Sequence, residues 1–214
     1  MPILTDLYDI PLKGKIFVTS DTHLSHTNII EYCGRPFETA EEMDEEIMKR
    51  WNSVVRDRDM VFHLGDVSMP KCLKHPEEIR QKINRLKGRK ILILGNHDRE
   101  PELMHSMGFA ENYSMKVLRY KDRVVVMSHL PYVDVVDILS PDDKPVYLCG
   151  HVHEKWLFSP APARPIYRET ENGSQRFSPP VYMNMSVEKW DYTPVRLDEA
   201  IKVYEGQTSA KNRR

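Results

Sequence analysis

Five short apolar runs, each followed at once by polar residues, form the main pattern along this chain. The runs cover residues 15–20, 60–64, 91–94, 124–127 and 146–149. Runs of this length without regular polar alternation are typical of strands in a sheet that other layers cover. The polar residues that follow them are Asp21 and His23, Asp66, Asn96 with His97 and Asp98, His129, and His151 with His153. Because sites in layered α/β folds collect at the carboxyl ends of strands, we expect these side chains to meet.

Helical patterns separate the first three runs. Thr39, with Glu42 three residues later, predicts the start of a helix that continues to about Val55. A second helix is predicted from Pro76 to Leu86 and a short one from Glu102 to Met107. Alternating strands and helices favour parallel pairing through right-handed crossovers, and therefore an α/β fold.

The rest of the chain predicts smaller elements in a single domain that spans residues 1–214. We expect a possible edge strand within residues 3–10, a hairpin at 115–120 and 123–127, a last strand at 181–187 and a short helix at 197–204. The proline-rich segment 155–180 predicts a flexible arm or hairpin beside the site, and residues 206–214 predict a frayed tail.

Composition limits the partners and the compartment. The 31 basic and 32 acidic residues give a formal net charge of -1, so no global field attracts long nucleic acid or an anionic membrane. The three cysteines, Cys33, Cys72 and Cys149, are widely spaced and form no pattern typical of disulfides or zinc clusters. With no leader pattern and no membrane-spanning run, we expect a soluble, cytoplasmic protein.

We call the polar residues that follow the five strands the polar tips. Their order and spacing resemble those of the calcineurin-like metallophosphoesterases, in particular their small bacterial and phage-type members. The matching motifs are Asp21-x-His23, Gly65-Asp66, Gly95-Asn96-His97-Asp98, His129 and Gly150-His151-x-His153. The resemblance implies a four-layer αββα sandwich with two mixed sheets. It also implies two divalent metal ions, with Mn²⁺ favoured and Fe²⁺ or Zn²⁺ as alternatives.

The same resemblance implies how the ligands are shared. One metal would be held by Asp21, His23, Asp66 and His153. The other would be held by Asp66, Asn96, His129 and His151, with Asp66 as the bridge. Two cations held in this way would generate a bridging hydroxide that attacks phosphorus.

Other residues near the tips are candidates for catalysis and substrate binding. By the resemblance, His97 stabilises the phosphoryl oxygens or protonates the leaving group, a role that suits histidine. Asp98 either orients His97 or, as we favour, caps the following helix. His26, Asn28 and Arg99 are candidate contacts to the substrate phosphate.

Absent motifs narrow the substrate class. No Asp-Arg-Gly follows Asp66, as in Ser/Thr protein phosphatases, and Met69 stands where purple acid phosphatases carry a tyrosine ligand. The short chain and the motifs at residues 21–30 and 190–194 resemble the small bacterial and phage-type members, and this resemblance implies hydrolysis of a small, nucleotide-like phosphodiester. The alternatives are a phosphomonoesterase for a small metabolite, a nuclease and, least favoured, a non-catalytic scaffold. The aromatic residues Trp156, Phe158 and Tyr167 could stack on a base, although core packing is the favoured use of each.

Overall fold

The computed structural model describes residues 4–6, 14–74, 76–131, 145–160, 166–170, 173–177 and 180–211. Within these ranges the chain forms the following strands and helices, in order: β1 (Leu4–Asp6), β2 (Ile16–Thr19), α1 (Thr27–Tyr32), α2 (Ala40–Val54), β3 (Met60–His63), α3 (Pro76–Arg85), β4 (Arg89–Ile93), α4 (Pro101–Ser106), β5 (Glu111–Tyr113), β6 (Met115–Tyr120), β7 (Arg123–Ser128), β8 (Val146–Cys149), β9 (Ile166–Thr170), β10 (Gly173–Phe177), β11 (Tyr182–Asn184), β12 (Val195–Arg196) and α5 (Leu197–Lys211).

The first sheet has the order β12-β2-β3-β4-β5 and is mixed. Strands β2, β3, β4 and β5 are parallel, and β12 pairs with β2 in the antiparallel direction. Thr19 of β2 is aligned with His63 of β3, which is in turn aligned with Leu92 of β4. The carboxyl ends of these strands therefore lie at one edge of the sheet, and the loops that follow them are neighbours.

The second sheet has the order β1-β6-β7-β8-β11 and is also mixed. Strands β7, β8 and β11 are parallel to one another, whereas β6 and β7 form an antiparallel hairpin. β1 is the predicted edge strand and pairs in parallel with β6. These two mixed sheets with their helices confirm the predicted α/β class of the fold.

The main core lies between the two sheets. It contains buried side chains of the first sheet, such as Val18 and Phe62, together with Val125 and Leu148 of the second sheet. The outer face of the first sheet packs against helices: Phe17 and Val61 contact the cluster that includes Trp51 of α2. Burial on both faces explains why these strands lack polar alternation.

Helix α2 begins as its sequence predicts. Thr39 has extended backbone angles, and its side-chain oxygen accepts a hydrogen bond of 3.1 Å from the Glu42 amide. The apolar stripe of α2 includes Met43, Ile47 and Trp51, all buried. The predictions for α3 and the β6–β7 hairpin are also confirmed to within about one residue. No helix in the described ranges is long and apolar enough to cross a membrane.

The carboxyl-terminal part differs from the prediction. The last long strand ends at Asn184 rather than Val187, because Ser186 turns toward the end of β2 and Val187 donates a backbone hydrogen bond to Ser20. The short strand β12 was not predicted. The last helix is longer than predicted, because α5 continues past Tyr204 to Lys211, and residues 212–214 of the predicted tail lie outside the described ranges.

The predicted arm is in part a hairpin. β9 and β10 pair with each other in the antiparallel direction and form a separate two-stranded sheet. At the base of this segment, Trp156 packs against the outer face of the second sheet and Phe158 against the main core, which is the use favoured from the sequence. Residues 161–165, 171–172 and 178–179 of the arm, and the side chain of Tyr167, lie outside the description.

Candidate metal centre

The loops after β2 and β3 are joined to each other by backbone hydrogen bonds. The Asp21 amide donates to the Gly65 carbonyl at 2.9 Å, and the His23 amide donates to the Asp66 carbonyl at 3.1 Å. The parallel pairing of β2 and β3 thus continues into their loops and fixes the two predicted tips against each other.

The structure brings together carboxylate and imidazole groups from four of the five tips, those after β2, β3, β7 and β8. Their donor atoms fall into two groups, and within each group the atoms lie within 4.8 Å of one another. The first group contains Asp21, His23 and His153, and the second contains Asp66, His129 and His151. Carboxylate and imidazole donors at this separation fit divalent metal ions such as Mn²⁺, Fe²⁺ or Zn²⁺.

Asp66, a member of the second group, also lies next to the first. Its Oδ2 atom is 3.6 Å from His23 Nε2 of the first group and 3.4 Å from His129 Nε2 of the second group. Asn96 joins the second group, because its Oδ1 atom is 2.9 Å from the same nitrogen of His129. The seven donors predicted from the sequence therefore form one continuous cluster.

The buried ring of His23 tests whether this cluster fits a cation. Neither of its ring nitrogens has a hydrogen-bond partner, although both are buried. Burial holds the pKa of His23 well below its ordinary value, so the ring is neutral and offers a lone pair. A buried polar group without a partner is costly, and a bound cation would satisfy it. The donor set therefore fits a metal.

Asp66 and His129 form a charged pair within the cluster. Burial by itself would raise the pKa of Asp66, but the hydrogen bond and charge of His129, together with the charge of His23 and the His97 amide, hold it below its ordinary value. Burial would likewise lower the pKa of His129, yet the nearby carboxylates Asp66 and Asp21 raise it to about 9. A cation that binds here must displace the His129 proton, so metal binding is coupled to proton release.

The backbone at the tips is strained. Asp21, His23, Asp66, His151 and His153 have φ angles between 47° and 73°, in the left-handed region that residues with a Cβ atom rarely adopt. Such conformations persist only where the surrounding structure enforces them, and they cluster at functional sites.

Two glycines allow the tips to approach one another. A Cβ atom on Gly95 would lie 2.3 Å from Asp66 Oδ1, and one on Gly150 would lie 2.6 Å from Asp21 Oδ2. Any larger residue at either position would therefore displace a carboxylate of the cluster.

A comparison with known protein families agrees with this geometry. Residues 14–198 match the model of the family described as calcineurin-like phosphoesterase. The chain belongs to the calcineurin-like phosphoesterases. This finding confirms the resemblance noted in the sequence and indicates metal-dependent hydrolysis of phosphoesters.

Relatives of this calcineurin-like phosphoesterase occur in archaea, bacteria and phages. An uncharacterized protein of Methanocaldococcus jannaschii is 34% identical over 191 residues, which cover 89% of this chain and 92% of that protein. The gene 66 protein of Mycobacterium phage L5 is 32% identical over 66% of this chain and 78% of its own length. A solved structure of a protein of unknown function from Aquifex aeolicus matches with a TM-score of 0.61 and 25% identity, over 89% of this chain and all of that one.

His97 lies at the rim of the phosphoesterase cluster. Its amide donates to Asp66 Oδ1 at 2.9 Å, and its Nε2 atom is 3.9 Å from Asp66 Oδ2. Its side chain is 36% exposed, whereas that of Asp66 is almost fully buried. The ring therefore stands between the buried Asp66 carboxylate and solvent.

The three predicted phosphate contacts differ in their placement. His26 is buried, its ring centroid is 5.4 Å from that of His23, and its Nδ1 atom has no hydrogen-bond partner. Asn28 is exposed and donates to the Tyr32 hydroxyl at 3.4 Å. Arg99 is exposed, and in the described ranges no hydrogen bond or ion pair joins it to the cluster. Of the three, His26 alone packs against a predicted metal ligand.

The favoured interpretation of Asp98 as a helix cap is wrong. Glu100 occupies the N-cap position of α4, without a capping side-chain bond. The Asp98 carboxylate instead accepts hydrogen bonds from the backbone amides of Asp66 at 2.9 Å, Val67 at 3.0 Å and Gly95 at 2.8 Å. Asp98 therefore joins the loops after β3 and β4 and fixes the backbone of Asp66.

Two residues of the site were missed in the sequence. Ser186 donates from its hydroxyl to Asp21 Oδ2 at 2.8 Å, and Glu188 Oε1 is 3.0 Å from His153 Nδ1. Both follow β11, so the pattern of an apolar strand with a polar tip could have identified them. That strand was predicted to run past Ser186, and its polar end was therefore not recognised.

Proposed function

We propose that this protein is a phosphodiesterase that uses two divalent metal ions to hydrolyse a small, nucleotide-like diester. The main support is the position of Asp66 between two groups of metal-ligating side chains, each with its own carboxylate or carboxamide and imidazoles. In this proposal Asp21, His23, Asp66 and His153 hold one ion. Asp66, Asn96, His129 and His151 hold the other.

The two ions would polarise a phosphoryl oxygen and supply a nucleophilic hydroxide near neutral pH. The protein holds the donors in place before the substrate arrives. His151 donates its backbone amide to both oxygens of Asp21, at 3.1 and 3.0 Å, and His129 Nδ1 bonds the Leu64 carbonyl at 2.8 Å. These bonds orient the groups toward the ions, which lowers the cost of reorganisation during the reaction.

His97 is the group best placed to move a proton. Its amide bond to Asp66 fixes its backbone, and its partly exposed ring has its centroid 5.7 Å from that of His23. We assign it the protonation of the departing alkoxide or the stabilisation of the phosphoryl oxygens.

Arg35 supports a diester rather than a monoester. A monoester dianion carries more charge, and enzymes often bind it with an arginine fork. Among the residues that the structure describes, Arg35 is the arginine in contact with the cluster, but its side chain is fully buried and donates to Glu188 and to the carbonyls of Asp21 and Thr22. Its donors are already used, so a singly charged diester suits the site better.

Tyr32 supports a nucleotide-like substrate. Its side chain is 67% exposed, and its ring lies edge-on to His26 with a centroid distance of 6.3 Å. His26 in turn packs against His23, so aromatic rings extend from the metal ligands to the surface. An exposed ring at this position can stack on the base of a nucleotide.

Diester and monoester substrates with the same leaving group distinguish the possible activities. We expect the Mn²⁺-loaded protein to cleave a bis(nitrophenyl) diester faster than the nitrophenyl monoester, by about tenfold or more in kcat/KM, which corresponds to about 1.4 kcal/mol. Release of nitrophenol, followed by absorbance, measures both rates. The opposite preference would favour the monoesterase, and efficient cleavage of long single strands would favour the nuclease.

Replacing His97 by alanine tests the proton transfer. We expect the variant to retain both metal ions and to lose about 10²–10⁴-fold in kcat for a diester with a poor alkyl leaving group. The loss should be much smaller for a nitrophenyl group, which leaves without a proton. His105→Ala, an exposed histidine on α4, is the matched control. Equal losses for both leaving groups would contradict the acid role.

A further inference from the structure

A buried arginine contacts the backbone of the loop that carries two of the metal-ligating residues. Arg35 donates from Nη2 to the Asp21 carbonyl at 2.7 Å and from Nη1 to the Thr22 carbonyl at 2.9 Å. These two peptide groups directly precede His23. The guanidinium therefore fixes the part of the chain from which Asp21 and His23 extend.

The same arginine is paired with Glu188, which contacts a third donor. Arg35 Nε and Nη2 donate to Glu188 Oε1 at 3.0 and 2.7 Å, and the two side chains are 0% and 5% exposed. The same oxygen of Glu188 is 3.0 Å from His153 Nδ1. A proton held on Nδ1 leaves the Nε2 lone pair free, and Nε2 lies 3.8 Å from Asp21 Oδ1.

The Arg35–Glu188 pair contacts the first group of donors only. Asp21, His23 and His153 make up the first group, and each is held directly or through its backbone by Arg35 or Glu188. The second group is held by other bonds. His129 bonds the Leu64 carbonyl, and Asp98 bonds the Asp66 amide.

Cys33 offers an alternative explanation for Glu188. Cys33, His153 and Glu188 could in principle hold a third cation, since their donor atoms lie within 4.8 Å of one another. The guanidinium of Arg35 already neutralises Glu188 at 2.7 Å, and its charge opposes a cation at that position. The pair is therefore better explained by its effect on the neighbouring ligands.

We propose that Arg35 and Glu188 are positioning residues that preorganise the Asp21, His23 and His153 group for its metal ion and leave the other group unaffected. The inference rests on the two-ion site of the proposed function. Its chemical basis is general: hydrogen-bond partners of metal ligands fix ring orientation and tautomer, and their loss reduces metal affinity by about 10–100-fold.

Titration calorimetry of the metal-stripped protein with Mn²⁺ tests the inference. For the wild type we expect two binding events. For Glu188→Ala we expect one event to weaken by about 10–100-fold and the other to stay within about twofold. Glu188→Gln keeps an oxygen acceptor for Arg35 and His153, so we expect it to restore part of the lost affinity. Arg35→Lys, whose single nitrogen cannot occupy the positions of the three guanidinium nitrogens that contact the two carbonyls and Glu188, should resemble Glu188→Ala.

Controls separate this result from general damage to the fold. Glu45→Gln removes one partner of an exposed arginine pair, in which both Arg85 nitrogens are 2.6 Å from the Glu45 oxygens, and should leave both events unchanged. Glu188→Ala leaves the Arg35 charge buried without its partner and therefore risks misfolding. If it fails to fold, the metal affinities of Glu188→Gln and Arg35→Lys test the positioning role instead.

The outcomes distinguish this inference from the proposed function. Two unchanged events in Glu188→Gln and Arg35→Lys, or equal weakening of both events, would overturn the positioning role. A wild-type protein that binds a single Mn²⁺ ion would instead overturn the two-ion proposal itself. Electron paramagnetic resonance gives an independent measurement, because loss of one ion removes the coupled signal of a Mn²⁺ pair.

Discussion

Replacing Asp66 by alanine is expected to abolish turnover and to remove high-affinity binding of both metal ions. Among the described residues, Asp66 is the one carboxylate within 3.6 Å of a histidine in each donor group. In the proposed two-ion site, its removal would take a negative charge from both cations at once, whereas removal of a ligand to one ion would leave the other site intact. We expect kcat to fall by about a thousandfold or more, which corresponds to about 4 kcal/mol of lost stabilisation.

Metal analysis and kinetics together measure the effect of this substitution. Metal content of the purified variant should fall from two ions per chain toward none, in parallel with the rate. Asp59→Asn is the matched control, because Asp59 is also buried and accepts hydrogen bonds from the amides of Lys15 and Arg56, away from the cluster. An Asp66→Ala protein that keeps two tightly bound ions would contradict a bridging role.

Replacing Asp98 by alanine is expected to destabilise the whole protein as well as the site. Its carboxylate accepts from three backbone amides on two loops, and all three would lose their partner. Burial raises the pKa of Asp98 to about 6, so at pH 7.5 the group is ionised and its hydrogen bonds are charge-assisted. Because each unsatisfied buried group costs about 1–3 kcal/mol, we expect the free energy of unfolding to fall by about 3 kcal/mol or more.

Urea unfolding at pH 7.5 in the presence of a chelator measures this loss without a contribution from bound metal. Asp98→Asn is the informative comparison, because its single carboxamide oxygen can replace only part of the acceptor capacity and should give an intermediate stability. If Asp98 were only a surface helix cap, alanine would cost about 1 kcal/mol and leave the metal affinity unchanged.

The sequence predicted the parts of the site that depend on local pattern. Each of the five apolar runs is a strand, and each ends close to where polar residues begin. Both the apolar run and the polar tip are visible in consecutive residues, so a local pattern is enough to predict them. The capping of α2 by Thr39 is equally local. These signals placed all seven donors at strand ends, and the parallel register of β2, β3 and β4 then brought most of them together.

The parts that were missed depend on distant contacts. Asp98 satisfies amides of a loop about 30 positions earlier, and this bond overrides its local tendency to cap a helix. Glu188 meets Arg35 across 153 positions in the chain, and no periodicity links them. The end of α5 was misjudged for a different reason: Gly206 has no neighbour within 4 Å of a Cβ position, so nothing in its surroundings requires the helix to stop there.

The left-handed conformations at the strand tips affect how the protein can evolve. Five such residues at about 1 kcal/mol each amount to about 5 kcal/mol, which is comparable to the net stability of an ordinary domain. Glycine at Asp21 or His151 would relax the backbone while deleting a donor. Substitutions at these positions that raise the stability of the fold would therefore tend to remove metal ligands. A relative that has lost its activity in this way should have a higher unfolding temperature than this protein.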